Sequence, residues 1–195
     1  IRLAAVGGAT TLVARPTLVE RDLPHAALSS LLPDSRVDPV LPVIATPRRR
    51  ALEIALRKTP TTGDLDPAAL GLAVLDVVRA IASPIPVLLV VDDLQWCDGP
   101  TAAALAFALR RAGDAPVALL AGVRTGIASP AVDGISRALP DTLVDRVPIG
   151  PLSVGAIRRL VESRSGRSRA RAITARIAEA AGGNPLLALE LARAI

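Results

Sequence analysis

Two short runs, Val87–Val91 and Val117–Ala121, contain only apolar residues and lack the alternation expected of a strand with one wet face. Strands buried on both faces belong to parallel sheets covered by helices, so the runs constrain the chain to the α/β class. Between them, Asp98, Gly99, Pro100 and Thr101 spell a helix start, and Leu105, Ala108 and Leu109 follow at helical spacing up to Gly113. The segment reads strand, helix, strand.

Upstream, Asp66 and Pro67 predict an N-cap and a first helical residue, and Leu70, Val74, Val78 and Ile81 form one apolar stripe. Ser83 and Pro84 stop that helix before the strand. Thr46 and Pro47 open another over residues 46–57, residues 23–32 read as a third, and residues 11–15 as a first strand; residues 59–64 read as loop. After Arg124 a region bearing Gly, Ser and Pro extends to Pro140 and leads to a weak strand over residues 143–149. Helices then dominate: Ser153 caps one carrying Ile157, Leu160 and Val161, Ile173 and Ile177 mark a second, and a third starts at Pro185. The expected division is an α/β core over residues 1–150 and a small all-helical subdomain over residues 151–195.

Hydrophobic residues make up 51% of the 195, yet Trp96 and Phe107 are the only aromatics, so the core must be built from Ala, Leu, Val and Ile. No apolar stretch approaches the ~18 residues that span a bilayer. The isoelectric point is near 11.0, but the net charge is only +5. Lys58 is the sole lysine, and the high pKa of Arg inflates the isoelectric point. The basic groups Arg48-Arg49-Arg50 and Arg164, Arg167, Arg169 and Arg171 read more readily as solvated helix faces than as a DNA-binding surface. One cysteine, Cys97, and one histidine, His25, supply neither a disulfide nor a zinc site. A reducing, cytoplasmic setting is expected, with no metal other than nucleotide-bound magnesium.

A buried parallel strand delivers its last residues to the carboxyl edge of the sheet, where ligands bind in open α/β folds. Asp92 and Asp93 stand at that edge. An apolar strand ending in two acids is the Walker B pattern, in which one carboxylate holds Mg2+ and the next orients the attacking water. The same acids serve equally as a solvated strand terminus. A phosphoacceptor receiver domain also places acids at strand ends, but it requires a lysine after a later strand, and Lys58 lies upstream.

The block Val90-Val91-Asp92-Asp93-Leu94-Gln95-Trp96-Cys97-Asp98, with residues 102–111 after it, resembles the Walker B segment of STAND-class ATPases, in particular those of large LuxR-type transcription regulators. Residues 20–28, residues 48–56 and the terminal Ala181-Gly182-Gly183-Asn184-Pro185-Leu186-Leu187 resemble the same family in the same order, so the resemblance covers nearly the whole chain. It implies that Asp92 coordinates Mg2+, that Asp93 is the catalytic carboxylate, and that Arg124 is a sensor of the terminal phosphate, a position that a solvated arginine at a strand end fills equally well. It further implies that Gly183, Asn184 and Pro185 approach the base of a bound ATP, although Gly ending one helix and Pro opening the next explain that turn on structural grounds alone. Gln95 and Trp96 are expected to shape the segment beyond the acids, Trp96 by packing.

The sequence departs from this family at one decisive point. A Walker A loop needs G-x-x-x-x-G-K-[ST]; Lys58-Thr59 is preceded by Arg57, with Leu52 where the first glycine should stand, and Gly7-Gly8 has no lysine after it. The expectation is an interior piece of a P-loop NTPase-like core that lacks the P-loop strand. In the family this strand sits mid-sheet, so the expected result is a gap in the sheet or a shifted terminal strand, with unpaired groups on the edge of the strand starting at Val117. The function expected is the ATP-dependent switch module of a signal-responsive regulator, with other domains of the parent chain as partners, DNA reached only through a separate domain, and no membrane. The alternative is a non-catalytic interaction scaffold of the same fold.

Overall fold

The computed structural model describes residues 7–59, 65–165 and 170–195. The loop read over residues 59–64 falls, beyond Thr59, outside them, as do Arg167 and Arg169 of the second basic group. The chain forms two compact units, residues 1–145 and 146–195.

The first unit is α/β. Its three strands are β1 (Thr10–Ala14), β2 (Val87–Val91) and β3 (Val117–Ala121), all parallel, in the order β1-β2-β3. The apolar run Val87–Val91 takes the centre: Val87 pairs with Thr10 on one side and Val117 on the other, and Val91 with Ala14 and Ala121. Between β1 and β2 come α1 (Ala26–Leu31), the single turn α2 (Asp34–Val37), α3 (Thr46–Ala55) and α4 (Pro67–Ala82). Helix α5 (Gly99–Arg110) connects β2 to β3, and α6 (Pro130–Ala138) follows β3.

Helix starts follow the sequence chemistry. The Asp66 carboxylate accepts the Ala68 N–H ahead of α4, and the Asp98 carboxylate accepts the Thr101 N–H ahead of α5, each with Pro in the first turn. The buried stripe of α4 includes Leu70, Val74, Val77 and Val78, and α5 buries Leu105 completely. Alanines and one glycine let these two helices approach closely: a β-carbon on Gly71 would stand 2.7 Å from the Phe107 ring. Close approach of this kind lets a core nearly devoid of aromatics pack on small side chains.

Lys58, the one lysine that could have served a phosphate loop, bonds to Asp34 and Asp38 instead, the latter at 2.8 Å. The two carboxylates hold its pKa above the ordinary lysine value. Arg48 pairs with Asp76 of α4 at 3.0 Å, and Arg49 lies 3.9 Å from Glu53. The Arg48-Arg49-Arg50 cluster is therefore compensated in part by its own unit.

The structure corrects several expectations. Residues 143–149 form no strand: a one-turn 3-10 helix occupies Asp141–Leu143, and Leu143, Val147 and Ile149 are exposed. Asp145 and Arg146 interrupt the apolar pattern, and Pro148 has no N–H for a ladder. Among the described residues the three strands of the sheet are contiguous. The region bearing Gly, Ser and Pro before Pro140 contains α6, whose N-cap Ser129 accepts the Val132 N–H. Helix α1 begins at Ala26 rather than at residue 23, because Pro24 and a left-handed His25 (φ 65°) precede it. Finally, the apolar run of β3 is not buried on both faces, since Ala118 and Leu120 alternate outward and are exposed.

Among the described residues no strand pairs with the outer edge of β3. Gly122 turns its N–H toward Val91 and its C=O toward Leu94. By alternation, Leu119 and Ala121 turn theirs to the open side.

The second unit is helical, with α7 (Val154–Ser165), α8 (Arg171–Ala180) and α9 (Pro185–Arg193). Ile157, Val161, Ile177, Ala178, Ala181, Ala188 and Ala192 form its separate core. No helix among the described residues is long and apolar enough to cross a membrane.

Candidate functional site at the carboxyl edge of the sheet

The ladder continues past the strand ends and fixes the chain just beyond β2. The Asp92 N–H donates to Ala14 C=O at 3.0 Å, the Gly122 N–H to Val91 C=O at 2.9 Å, and the Leu94 N–H to Gly122 C=O at 2.8 Å. Asp93 turns left-handed (φ 57°, ψ 48°), a conformation that Asp tolerates better than most residues, and launches the one-turn 3-10 helix Leu94–Trp96. Asp92 and Asp93 thus stand side by side at the sheet rim, the first exposed and the second half-buried.

Arg124, three residues beyond β3, reaches across to Asp93. Its Nε donates to Asp93 Oδ1 at 2.8 Å and its Nη2 to Oδ2 at 3.1 Å, a two-point ion pair. Gln95 completes the bracket. Its Nε2 donates to Asp93 Oδ1 at 2.7 Å, while its Oε1 accepts the Arg124 backbone N–H at 3.1 Å. The guanidinium and the Gln95 amide hold the Asp93 carboxyl below its ordinary pKa, and Asp93 in turn raises that of Arg124.

The last residue of the block, Asp98, is buried for a different reason. Its carboxylate accepts the backbone N–H of His25 (2.9 Å), Ala27 (3.1 Å) and Thr101 (2.9 Å) and the Thr101 hydroxyl (2.8 Å). The Thr101 hydroxyl in turn accepts the Leu28 N–H at 3.1 Å. Asp98 therefore ties the start of α1 to the start of α5, a role that the acid-rich block conceals. Cys97 beside it is buried, and its thiol is pushed up to about 12, mainly by burial.

Of the residues singled out from sequence, Asp92, Asp93 and Arg124 come together on the first unit. Gly183, Asn184 and Pro185 belong to the second. There Gly183 is left-handed (φ 76°), and a β-carbon on it would stand 2.5 Å from Pro151 and 2.8 Å from the Leu152 carbonyl oxygen. Asn184 Oδ1 accepts the N–H groups of Leu186 and Leu187, capping α9. Helix capping accounts for all three positions.

Compared with protein-family models, curated proteins and solved structures, the chain matches none.

The cation half of a magnesium–nucleotide site would rest here on one carboxylate. A hard cation such as Mg2+ commonly takes only one or two protein carboxylates, the rest of its shell being water and phosphate. Asp92 suits this, since among the described residues its carboxylate accepts no protein hydrogen bond while it stands exposed at the rim. Asp93 does not suit direct coordination, because both its oxygens are engaged. No group of three or more His, Cys, Asp or Glu among the described residues forms a larger cage. The other half is missing: the sequence holds no glycine-rich loop with a lysine to receive phosphates.

Proposed function

We propose that the first unit is the Mg2+-side half of a nucleotide-binding switch module of the STAND ATPase type, as found in LuxR-type transcription regulators. The observation that carries this reading is the meeting of Asp92, Asp93 and Arg124 at the carboxyl edge of a parallel sheet, the position where open α/β sheets bind ligands. Asp92 would hold the cation through one carboxylate oxygen. Asp93 would orient the attacking water, which requires that it leave Arg124; Arg124, once released, would face the terminal phosphate as a fixed positive charge. Bound Mg2+ supplies neutralisation of phosphate charge. ATP is the nucleotide in the same reading. Contact with DNA is assigned to a domain other than these two units.

The reading requires a phosphate cradle that these 195 residues do not supply. Positioning and charge stabilisation make up most of phosphoryl-transfer catalysis, so the chain by itself should bind MgATP poorly and hydrolyse almost none. Calorimetric titration with MgATP tests this: no saturable heat at micromolar ligand is expected, and micromolar binding overturns the division of labour. Titration with Mn2+ tests the metal side. Paramagnetic broadening centred on Asp92 is expected, and its absence there removes the proposal.

A second reading, a non-catalytic interaction scaffold, is favoured by one specific observation. The two-point pair between Asp93 and Arg124 satisfies both groups without any ligand. Mn2+ titration separates the two: a chain whose Asp92 signals are not broadened supports the scaffold.

A further inference from the structure

Asp93 and Arg124 leave the sheet from the ends of different strands, so neither backbone alone sets how the carboxylate meets the guanidinium. Gln95 touches both. It is only 1% exposed, and every polar group of its side chain is spent on this pair: Nε2 on Asp93 Oδ1 at 2.7 Å, and Oε1 on the Arg124 N–H at 3.1 Å. Its own backbone is held from behind, since its C=O accepts the Ser129 hydroxyl, at the start of α6, at 3.3 Å. A primary amide offers a donor and an acceptor in one rigid plane. Glutamate at this position would keep the acceptor but set a second carboxylate against Asp93; leucine would fill the space and satisfy neither neighbour. A buried amide with no other polar contact, placed between two groups from separate loops, has a task beyond filling volume.

We propose that Gln95 is a positioning residue: through its amide it sets the Arg124 backbone at the distance from Asp93 that lets the guanidinium close on the carboxylate. Its value for catalysis rests on the proposed roles of Asp93 and Arg124, but the geometry is the chain's own and is tested without nucleotide. The charged groups around the amide are Asp93 and Arg124, with Asp92 next along the chain.

The test is solution NMR of the 195-residue protein as wild type, Gln95→Leu and Gln95→Glu, following the Arg124 backbone amide and the Arg124 Nε–H. In Gln95→Leu the amide is expected to exchange with solvent about tenfold faster, and the Nε–H resonance to move to the position of an unpaired arginine. In Gln95→Glu, which retains the acceptor, amide protection returns while the Nε–H resonance still shifts, because a second carboxylate now competes for the guanidinium. A residue that only fills space would leave both signals in place in the leucine variant, and that result overturns the proposal. Loss of amide protection in the glutamate variant overturns it as well, since it denies the acceptor its role. Should the leucine variant not fold, the glutamate variant decides alone: an unshifted Nε–H is then the refuting outcome. Titration of the wild type with Mn2+ reads the functional proposal separately; no broadening at Asp92 removes that reading and leaves the Gln95 result standing.

Discussion

Gly122 lies so close to Asp92 that a β-carbon built on it would stand 2.9 Å from Asp92 Oδ1. The glycine just past the neighbouring strand thereby leaves room for the exposed carboxylate beside it. Gly122→Ala should displace the free end of a side chain rather than backbone, so the fold should survive with a melting temperature within about 2–4 °C of wild type. Mn2+ broadening around Asp92 should fall sharply. Broadening equal to wild type would show that the carboxylate is not confined by this contact.

Asp98 should be the most costly acid in the block to lose. Four hydrogen bonds end on its buried carboxylate, three from backbone N–H groups. Asp98→Ala leaves those donors unsatisfied and uncaps α5, an expected loss of about 2–4 kcal/mol by urea denaturation. Asp92→Ala, at an exposed carboxylate, should change stability by about 0.5 kcal/mol or less in the same experiment.

Cys97 should behave as an inert thiol. With its pKa pushed up to about 12 by burial and by the nearby Asp98 charge, and with its sulfur buried, little thiolate forms in the native state. Alkylation by iodoacetamide at mildly alkaline pH should be negligible until the chain unfolds. Fast modification of native protein would contradict the burial described.

The Asp93–Arg124 pair predicts the sign of a pH effect. The native carboxyl pKa is depressed, chiefly by the Arg124 hydrogen bonds and then by Gln95. Its contribution is thus fully present above the ordinary aspartate value of 3.8 and is lost as pH falls through the native value. Asp93→Asn should remove that part of the acid dependence, so wild-type and variant stabilities should converge as pH drops toward 2–3 in acid denaturation. Curves that stay parallel to the lowest pH would exclude the ion pair from the stability of the unit.

His25 predicts a second window at higher pH. Burial is the main cause lowering its pKa; the Arg57 charge adds to this, and Asp98 opposes it. The folded state therefore favours the neutral ring, and stability should fall as pH drops below the ordinary histidine value of 6.5. His25→Gln should flatten that limb of the stability profile, and an unchanged slope would remove His25 as its source.

The parts of this fold legible in the sequence are those set by local chemistry. The unbroken apolar runs announced β2 and β3 as strands, and Asp66-Pro67 and Asp98 with Pro100 announced the starts of α4 and α5. That β3 leaves Leu120 exposed was not legible, because an apolar run does not say whether each face of its strand is covered. Helix α6 was obscured because Gly126 and Gly134 surround the Ser129-Pro130 cap that starts it. Residues 143–149 misled because an apolar count cannot say whether a partner strand exists. At the candidate site, the placement of Asp92 and Asp93 at a strand end followed from the run before them. The pairing of Asp93 with Arg124, and the amide bridge from Gln95, depend on how two loops far apart in the chain meet in space. The buried role of Asp98 was hidden for the same reason, since its partners His25 and Ala27 lie in another part of the sequence.

Trp96 ends the single 3-10 turn that begins immediately after Asp93, and the chain has one tryptophan and no tyrosine. Intrinsic fluorescence of this protein is therefore a local optical gauge rather than a global one. Emission wavelength, quenching by iodide and anisotropy all report on the rim beside Asp92, Asp93 and Gln95, so an event at that rim has a dye-free signal with no competing emitter elsewhere in the chain.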